Sequence, residues 1–143
     1  MTKTKAQQIM AATEVRAAND VTAAIQDIAA EFEPYIIKQR RHFHKHPELS
    51  LAEERTTSDI ANQLDAMNIP YERPLKTGLV ATLRGTAPDA YREDGTPRRR
   101  ILLRADIDAL PVTEQTGEEF ASVNEGCMHA CGHDCHIAMM LGT

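Results

Sequence analysis

Several features are scarce in this sequence, and each shortage excludes a class of protein. No apolar run approaches the roughly 20 residues that a transmembrane helix needs, and the N-terminus lacks the apolar segment of a secretory signal. Only three cysteines are present, which excludes a disulfide-rich scaffold and fits a reducing compartment. We therefore expect a soluble, cytoplasmic protein that does not act on a membrane.

Basic charge is also limited. Sixteen Lys and Arg residues stand against twenty-one Asp and Glu residues, for a net charge of −5. Nucleic acids and anionic membranes attract strongly basic surfaces, so neither is an expected partner. The one basic cluster, Arg98 to Arg100, follows a loop-like stretch, and we interpret it as a solvated loop end rather than a phosphate-binding patch.

The length of 143 residues is that of one domain, which would bury roughly two-thirds of its unfolded surface. Within residues 10–33, apolar side chains recur at helical spacing and predict an amphipathic helix whose apolar face is packing material. These side chains are Val21, Ile25, Ile28 and Phe32. We therefore treat residues 1–33 as a helical extension. Pro34 predicts a kink or a second helix that reaches about residue 45.

The middle of the chain alternates helix and strand signals. Ser50 and Glu53 form a capping-box pattern, which predicts a helix that starts there and ends at residues 68–70. Strands are predicted at residues 71–73, 79–83 and 100–105, and residues 85–97 read as a loop. The near-continuous apolar run in the last strand indicates burial on both faces, so the fold class is α/β, with helices packed on a mixed β-sheet.

The most informative stretch is residues 128–136. It holds three of the six histidines, two of the three cysteines and one carboxylate, the ligand types that borderline-soft divalent metals prefer. Cys131 and His133 flank Gly132, so both side chains would project to one side of a turn or extended backbone. We predict that they bind metal. From spacing alone, a buried thiol beside a capped helix is an equal alternative, whereas a Cys-His nucleophile is disfavoured because both side chains aim outwards.

Two other polar clusters are ambiguous when only their residues are considered. Asp106 and Asp108 follow the predicted strand of residues 100–105, where α/β sheets build their sites, yet Asp-x-Asp before Pro is also a common turn. On a helix, His42 and His46 would share a face while His44 points away. Polar contacts beside a helix end therefore explain these histidines better than a second metal site.

Four segments together resemble one enzyme family. They are His-Ala-Cys-Gly-His-Asp at residues 129–134, Arg-Ala-Asp-x-Asp-Ala-Leu-Pro at 104–111, His-x-His-Pro-Glu-Leu at 44–49 and Glu-x-Thr-Gly-x-x-Phe-Ala-Ser at 114–122. Metal-dependent amidohydrolases, including hippurate hydrolases, N-acyl-amino-acid amidohydrolases and auxin-conjugate hydrolases, have similar motifs. They belong to the clan of aminoacylase and carboxypeptidase-like zinc exopeptidases. His42 departs from the pattern, because family members commonly have Asp at this position.

The resemblance implies a fold and a set of site residues. Residues 34–143 would form the N-terminal portion of a zinc-exopeptidase-like catalytic domain, without the lid or dimerisation domain. A complete site would hold two divalent metal ions, zinc or manganese, with Cys131 and His133 as ligands and Asp108 as the residue that orients the assembly. Other residues of the motifs would line the pocket or orient ligands: Asp106, His129, Asp134 and His136.

The resemblance also implies a reaction. The full-length enzyme, possibly a homodimer, would hydrolyse the amide bond of small N-acyl amino acids or peptide-like substrates. In the family, the general-base Glu and further ligands lie downstream of the Cys-Gly-His motif, beyond residue 143 of this sequence. We therefore expect the chain to be inactive alone. The alternative is a non-catalytic metal-binding or remnant domain.

Overall fold

A computed structural model describes the backbone from Lys5 to Thr143 and the side chains from Asp20 onwards. Its elements are α1 (Lys5–Lys45), α2 (Glu54–Ala66), β1 (Tyr71–Glu72), β2 (Val80–Ala81) and α3 (His133–Gly142). Two compact units are present, Met1–Tyr35 and Ile36–Thr143. Among the described residues, no helix is both long enough and apolar enough to cross a bilayer.

α1 is continuous at Pro34. The helix runs from Lys5 to Lys45 with Pro34 inside it, so of the two predicted alternatives, a kink or a second helix, the second helix does not form. Proline lacks an N–H group, and α1 therefore lacks one main-chain hydrogen bond at this position.

The apolar stripe of the first unit is also different from the prediction. Val21, Ile25, Ile28 and Phe32 lie on α1, as predicted, but they are 42–60% exposed and do not serve as packing material. The physical reason is that the described part of this unit is a single helix, which has no second element within the unit to cover its apolar face.

The core of the second unit involves the C-terminal part of α1 together with α2 and α3. Phe43 of α1 and Ile137 of α3 are each only 2% exposed. Full burial of such a side chain contributes roughly 1.5–3 kcal/mol. The other buried apolar residues are Ile60, Ala61, Leu64, Ala109, Cys127, Ala138 and Leu141.

The N-terminus of α2 is capped by a residue outside the predicted capping box. The helix begins at Glu54 rather than near Ser50, and Glu53 makes no side-chain capping bond. Instead, the carboxylate of Glu48 accepts hydrogen bonds from the backbone N–H groups of Arg55 (3.1 Å) and Thr56 (2.7 Å). A carboxylate at this position satisfies free N–H groups and complements the helix dipole.

The end of α2 agrees with the prediction. Met67 is the C-cap, and Asn68 follows it with a φ of 57°. Asparagine is one of the few residues that tolerate this left-handed conformation, which commonly ends a helix. The expected loop at residues 85–97 also has no helix or extended strand, and Arg98 to Arg100 are exposed as predicted.

The sheet is smaller than predicted. β1 and β2 pair antiparallel, with Tyr71 opposite Ala81 and Glu72 opposite Val80. No strand forms at residues 100–105, and Ile101 and Leu102 are 86% and 89% exposed, so the prediction of a strand buried on both faces is wrong here. An apolar strand becomes buried only when neighbouring strands pair with it, and the described residues provide no such strand.

Candidate metal centre

The turn into α3 places two histidines on one helix face. Gly132 precedes the helix with a φ of 87°, a left-handed conformation that glycine adopts without steric cost. The helix therefore begins at His133, and His136 lies three residues later on the same face. Their imidazole rings are stacked, with centroids 5.4 Å apart.

These histidines meet a carboxylate from a distant segment. One ligand atom from each of Asp106, His133 and His136 lies within 4.8 Å of the other two, the one such set of three among the side chains described from Asp20 onwards. Two imidazole nitrogens and one carboxylate oxygen form a donor set that suits zinc and related divalent ions.

Asp108 contacts the first of these imidazoles. Nδ1 of His133 lies 3.0 Å from Oδ1 of Asp108 and 2.9 Å from its backbone oxygen. Metal-binding histidines commonly donate their second ring N–H to a carboxylate or carbonyl oxygen in this way. The contact leaves Nε2 of His133 available as a ligand, so the residues present fit a divalent metal.

Asp106 is held in its ionised form. The guanidinium of Arg104 donates to Oδ1 of Asp106 from Nη2 (2.6 Å) and from Nε (3.1 Å). This hydrogen bonding lowers the pKa of Asp106 below its ordinary value. Asp106 is therefore a carboxylate at neutral pH, and its second oxygen remains outside the Arg104 pair.

The structure divides the predicted ligand pair. His133 lies in the three-residue group, whereas Cys131 is exposed and stands outside it. Sequence reasoning ranked Asp106 and His136 below Cys131, yet these are the two residues that the structure brings to His133. The signal for His136 was its three-residue spacing from His133, which places both on one face once a helix starts at His133.

An open cleft of about 530 Å³ borders this group. Asp106 and His136 contribute polar atoms to its wall, and Leu103, Met139 and Met140 contribute apolar surface. The cleft therefore combines two of the three candidate ligands with an apolar surface of the kind that ligand sites usually have.

A buried ionic network lies next to the metal group. Asp134, which is 1% exposed, accepts hydrogen bonds at Oδ2 from Nε of Arg40 (2.9 Å) and Nδ1 of His44 (2.8 Å). Burial acts to raise the pKa of Asp134, but the hydrogen bond from His44 and the charge of Arg40 outweigh it and the pKa is lowered. The polar role that we expected for His44 is therefore what the structure shows.

The second nitrogen of His44 reaches another buried carboxylate. Nε2 of His44 lies 3.1 Å from Oε1 of Glu114, which also accepts the hydroxyl of Thr116, while Oε2 accepts the backbone N–H of Ser122 at 2.6 Å. Burial opposes ionisation, yet the hydrogen bonds from Ser122, Thr116 and His44 lower the pKa of Glu114 to about 2. No sequence pattern had assigned chemistry to Glu114.

His129 occupies a different position from the other motif residues. It is buried, and neither ring nitrogen has a hydrogen-bond partner. Burial is the main cause of its lowered pKa, so His129 is uncharged at neutral pH. Its ring centroid lies 6.5 Å from that of His44, and His129 is not a member of the group with His133.

Known proteins are similar to most of this chain. The sequence model of peptidase family M20/M25/M40 matches residues 102–143. An N-acyl-L-amino acid amidohydrolase of Geobacillus stearothermophilus is 43% identical over 120 residues, which cover 83% of this chain and 30% of that protein. The N-acetylcysteine deacetylase of Bacillus subtilis is 45% identical over 117 residues, which cover 78% of this chain and 28% of that protein.

A solved structure agrees with these relatives. The crystal structure of a Bacillus subtilis protein, described as a dinuclear metal-binding peptidase of the M20 family, matches with a TM-score of 0.67 and 42% identity. The match covers 78% of this chain and 30% of that chain. The predicted fold class and the family resemblance are thus confirmed, although the chain spans less than a third of the length of these relatives. The chain belongs to the M20/M25/M40 family of peptidases.

Proposed function

We propose that this chain supplies part of the active site of a metal-dependent amidohydrolase, which cleaves the amide bond between an acyl group and an amino acid. The observation that carries the proposal is the group of Asp106, His133 and His136, with Asp108 bonded to the second nitrogen of His133. Two relatives act, by their names, on N-acylated amino acids.

The complete site would hold two divalent ions, zinc or manganese. In this chain the ligands would be Asp106, His133 and His136, with the thiolate of Cys131 as a further ligand. A bound ion of this kind lowers the pKa of a water molecule and polarises a carbonyl group. Asp108 keeps the proton of His133 on Nδ1, and Arg104 keeps Asp106 ionised. The apolar wall of the cleft, which includes Leu103 and Met139, would receive the acyl group.

The chain by itself would be inactive. A mononuclear catalytic zinc site normally has three protein ligands, and a pair of metals needs more. We propose that the additional ligands and the Glu that transfers the proton come from residues outside this chain, which covers 30% or less of its named relatives. Residues 34–143 would form the N-terminal portion of the catalytic domain and residues 1–33 a helical extension, in a cytoplasmic protein that is a homodimer at full length.

An assay on two proteins tests this function. The metal-replete 143-residue chain and the product of the reading frame continued past Thr143 are each incubated with N-acyl amino acids, and the released amino acid is measured by mass spectrometry. We expect metal-dependent release from the longer product alone. Comparable turnover by the 143-residue chain would contradict the need for outside residues. A frame that stops at Thr143, with metal binding and no turnover, would support a non-catalytic domain instead.

A further inference from the structure

We propose that His44 is a positioning residue for the candidate metal group, because the hydrogen bonds of its single imidazole connect both halves of that group to α1. One half is the start of α3, with His133 and His136, and the other is the segment that contains Asp106 and Asp108. This inference rests on the proposed metal-dependent function.

On the α3 side, His44 is connected through its hydrogen bond with Asp134. Arg40 and His44 lie one turn apart on α1, and both donate to Oδ2 of Asp134. Asp134 directly follows His133 in the first turn of α3. Asp134 is buried and accepts two hydrogen bonds. These bonds therefore hold in place the backbone from which His133 projects.

On the side of Asp106 and Asp108, His44 is connected through its hydrogen bond with Glu114. Glu114 lies six residues after Asp108, and it is bonded to His44 and to the backbone N–H of Ser122. Its side chain is 4% exposed, so the segment cannot shift without moving a buried carboxylate. The backbone of Ala109 is held as well, because its N–H donates to the carbonyl oxygen of Glu48 at 2.8 Å.

His44 acts through other residues rather than as a ligand. Both of its ring nitrogens are occupied by carboxylate oxygens, at 2.8 Å and 3.1 Å. With both nitrogens facing carboxylate oxygens, neither is available to bind a metal ion, so His44 would act on the metal group only through Asp134 and Glu114.

Because the two nitrogens contact different carboxylates, variants of His44 can remove the two hydrogen bonds separately. An Asn side chain places its amide nitrogen near the position of the histidine Nδ1, so His44→Asn retains a donor towards Asp134. A Gln side chain places its amide nitrogen near the position of Nε2, so His44→Gln retains a donor towards Glu114. His44→Ala removes both donors. His42 provides the matched control, because it is a histidine on the same helix whose Nε2 bonds Asp59 at 2.8 Å, outside the network.

The test is titration of the 143-residue chain with cobalt(II), followed by visible absorption, and with zinc, followed by calorimetry. Residues that hold a metal ligand in place typically contribute 10-fold to 100-fold to metal affinity. We expect His44→Ala to weaken binding by about that factor and to change the cobalt absorption bands at saturation. His44→Asn and His44→Gln should each recover part of the affinity, and His42→Ala should bind as the wild type does.

Two outcomes separate this inference from the proposed function. If the wild-type chain binds no cobalt or zinc, the metal site itself is wrong and the positioning role falls with it. If the wild type binds and His44→Ala, folded by circular dichroism, has the same affinity and spectrum, the positioning role alone is overturned. If His44→Ala does not fold, the His44→Asn and His44→Gln variants decide the question. Wild-type affinity and spectrum in both of them would overturn the positioning role.

Discussion

Nδ1 of His133 lies 3.0 Å from Oδ1 of Asp108, although 25 residues separate them in the chain. This contact joins the segment after residue 103 to the first residue of α3, and these two segments supply all three members of the candidate metal group.

Removal of the Asp108 carboxylate should weaken metal binding. Asp108→Ala leaves the imidazole of His133 without its side-chain acceptor, and loss of such a partner costs about 10-fold to 100-fold in affinity. Zinc competition with a chromophoric chelator measures the change. Asp94→Ala is the control, because Asp94 is an exposed carboxylate that accepts hydrogen bonds from the backbone N–H and the hydroxyl of its loop neighbour Thr96. Equal zinc affinity in Asp108→Ala and the wild type would refute the orienting role of Asp108.

Acid should destabilise the chain through Glu114. Its pKa in the folded state is about 2, below the ordinary value of 4.5, so the unfolded state binds more protons between these values. The stabilisation is therefore complete above about pH 4.5 and is lost as the pH falls through about 2. Urea unfolding at a series of pH values should show a shallower acid slope for Glu114→Gln than for the wild type.

Glu118→Gln is the control for this measurement, since Glu118 is an exposed acid in the same segment. Its acid slope should match that of the wild type. Parallel slopes for Glu114→Gln and Glu118→Gln would show that the buried hydrogen bonds of Glu114 do not contribute to stability.

Truncation of the core should be costly. Ile137 is 2% exposed, and Ile137→Ala should lower the free energy of unfolding by about 2–5 kcal/mol through lost burial and a residual cavity. Leu102 is a matched aliphatic residue that is exposed, so Leu102→Ala should change it by less than about 0.5 kcal/mol. Urea unfolding measures both values. Similar losses in the two variants would contradict the position of the core.

The left-handed turn before α3 should require glycine. Gly132→Ala meets no atom within 4 Å, so its cost is conformational and should be about 1–2 kcal/mol in the free energy of unfolding. Gly85 has no positive φ, and an added Cβ would lie 3.6 Å from that of Ala90, an ordinary contact. Gly85→Ala should therefore be nearly neutral in the same urea experiment. A neutral Gly132→Ala would indicate a different backbone conformation at this turn.

The sequence predicted features that depend on short motifs. The motif around Cys131 and His133 predicts a site at the start of α3, where the structure groups His133 with Asp106 and His136. Asn68 marked the end of α2 correctly. Features that depend on distant partners were missed or misjudged. His44 meets carboxylates 70 and 90 residues away, and no local pattern reveals such pairs.

Two further predictions failed because of residues outside the local pattern. The capping box at Ser50 was a valid local signal, but the carboxylate of Glu48 takes the free N–H groups of α2 instead. The apolar residues 101–103 fit a strand, yet a strand forms only with partners, and the described residues offer none. The position of His136 beside His133 was also hard to foresee, because it depends on where α3 begins, and Gly132 determines that residue.

The central claim is that Asp106, His133 and His136 hold a divalent metal, and zinc calorimetry of the chain tests it most directly. The wild type should bind zinc at a stoichiometry of about one ion per chain, as expected for a three-ligand site. A variant with both His133→Ala and His136→Ala should lose that binding while it retains the helical circular dichroism of the wild type. Undiminished zinc affinity in the double variant, or no binding by the wild type, would contradict the account.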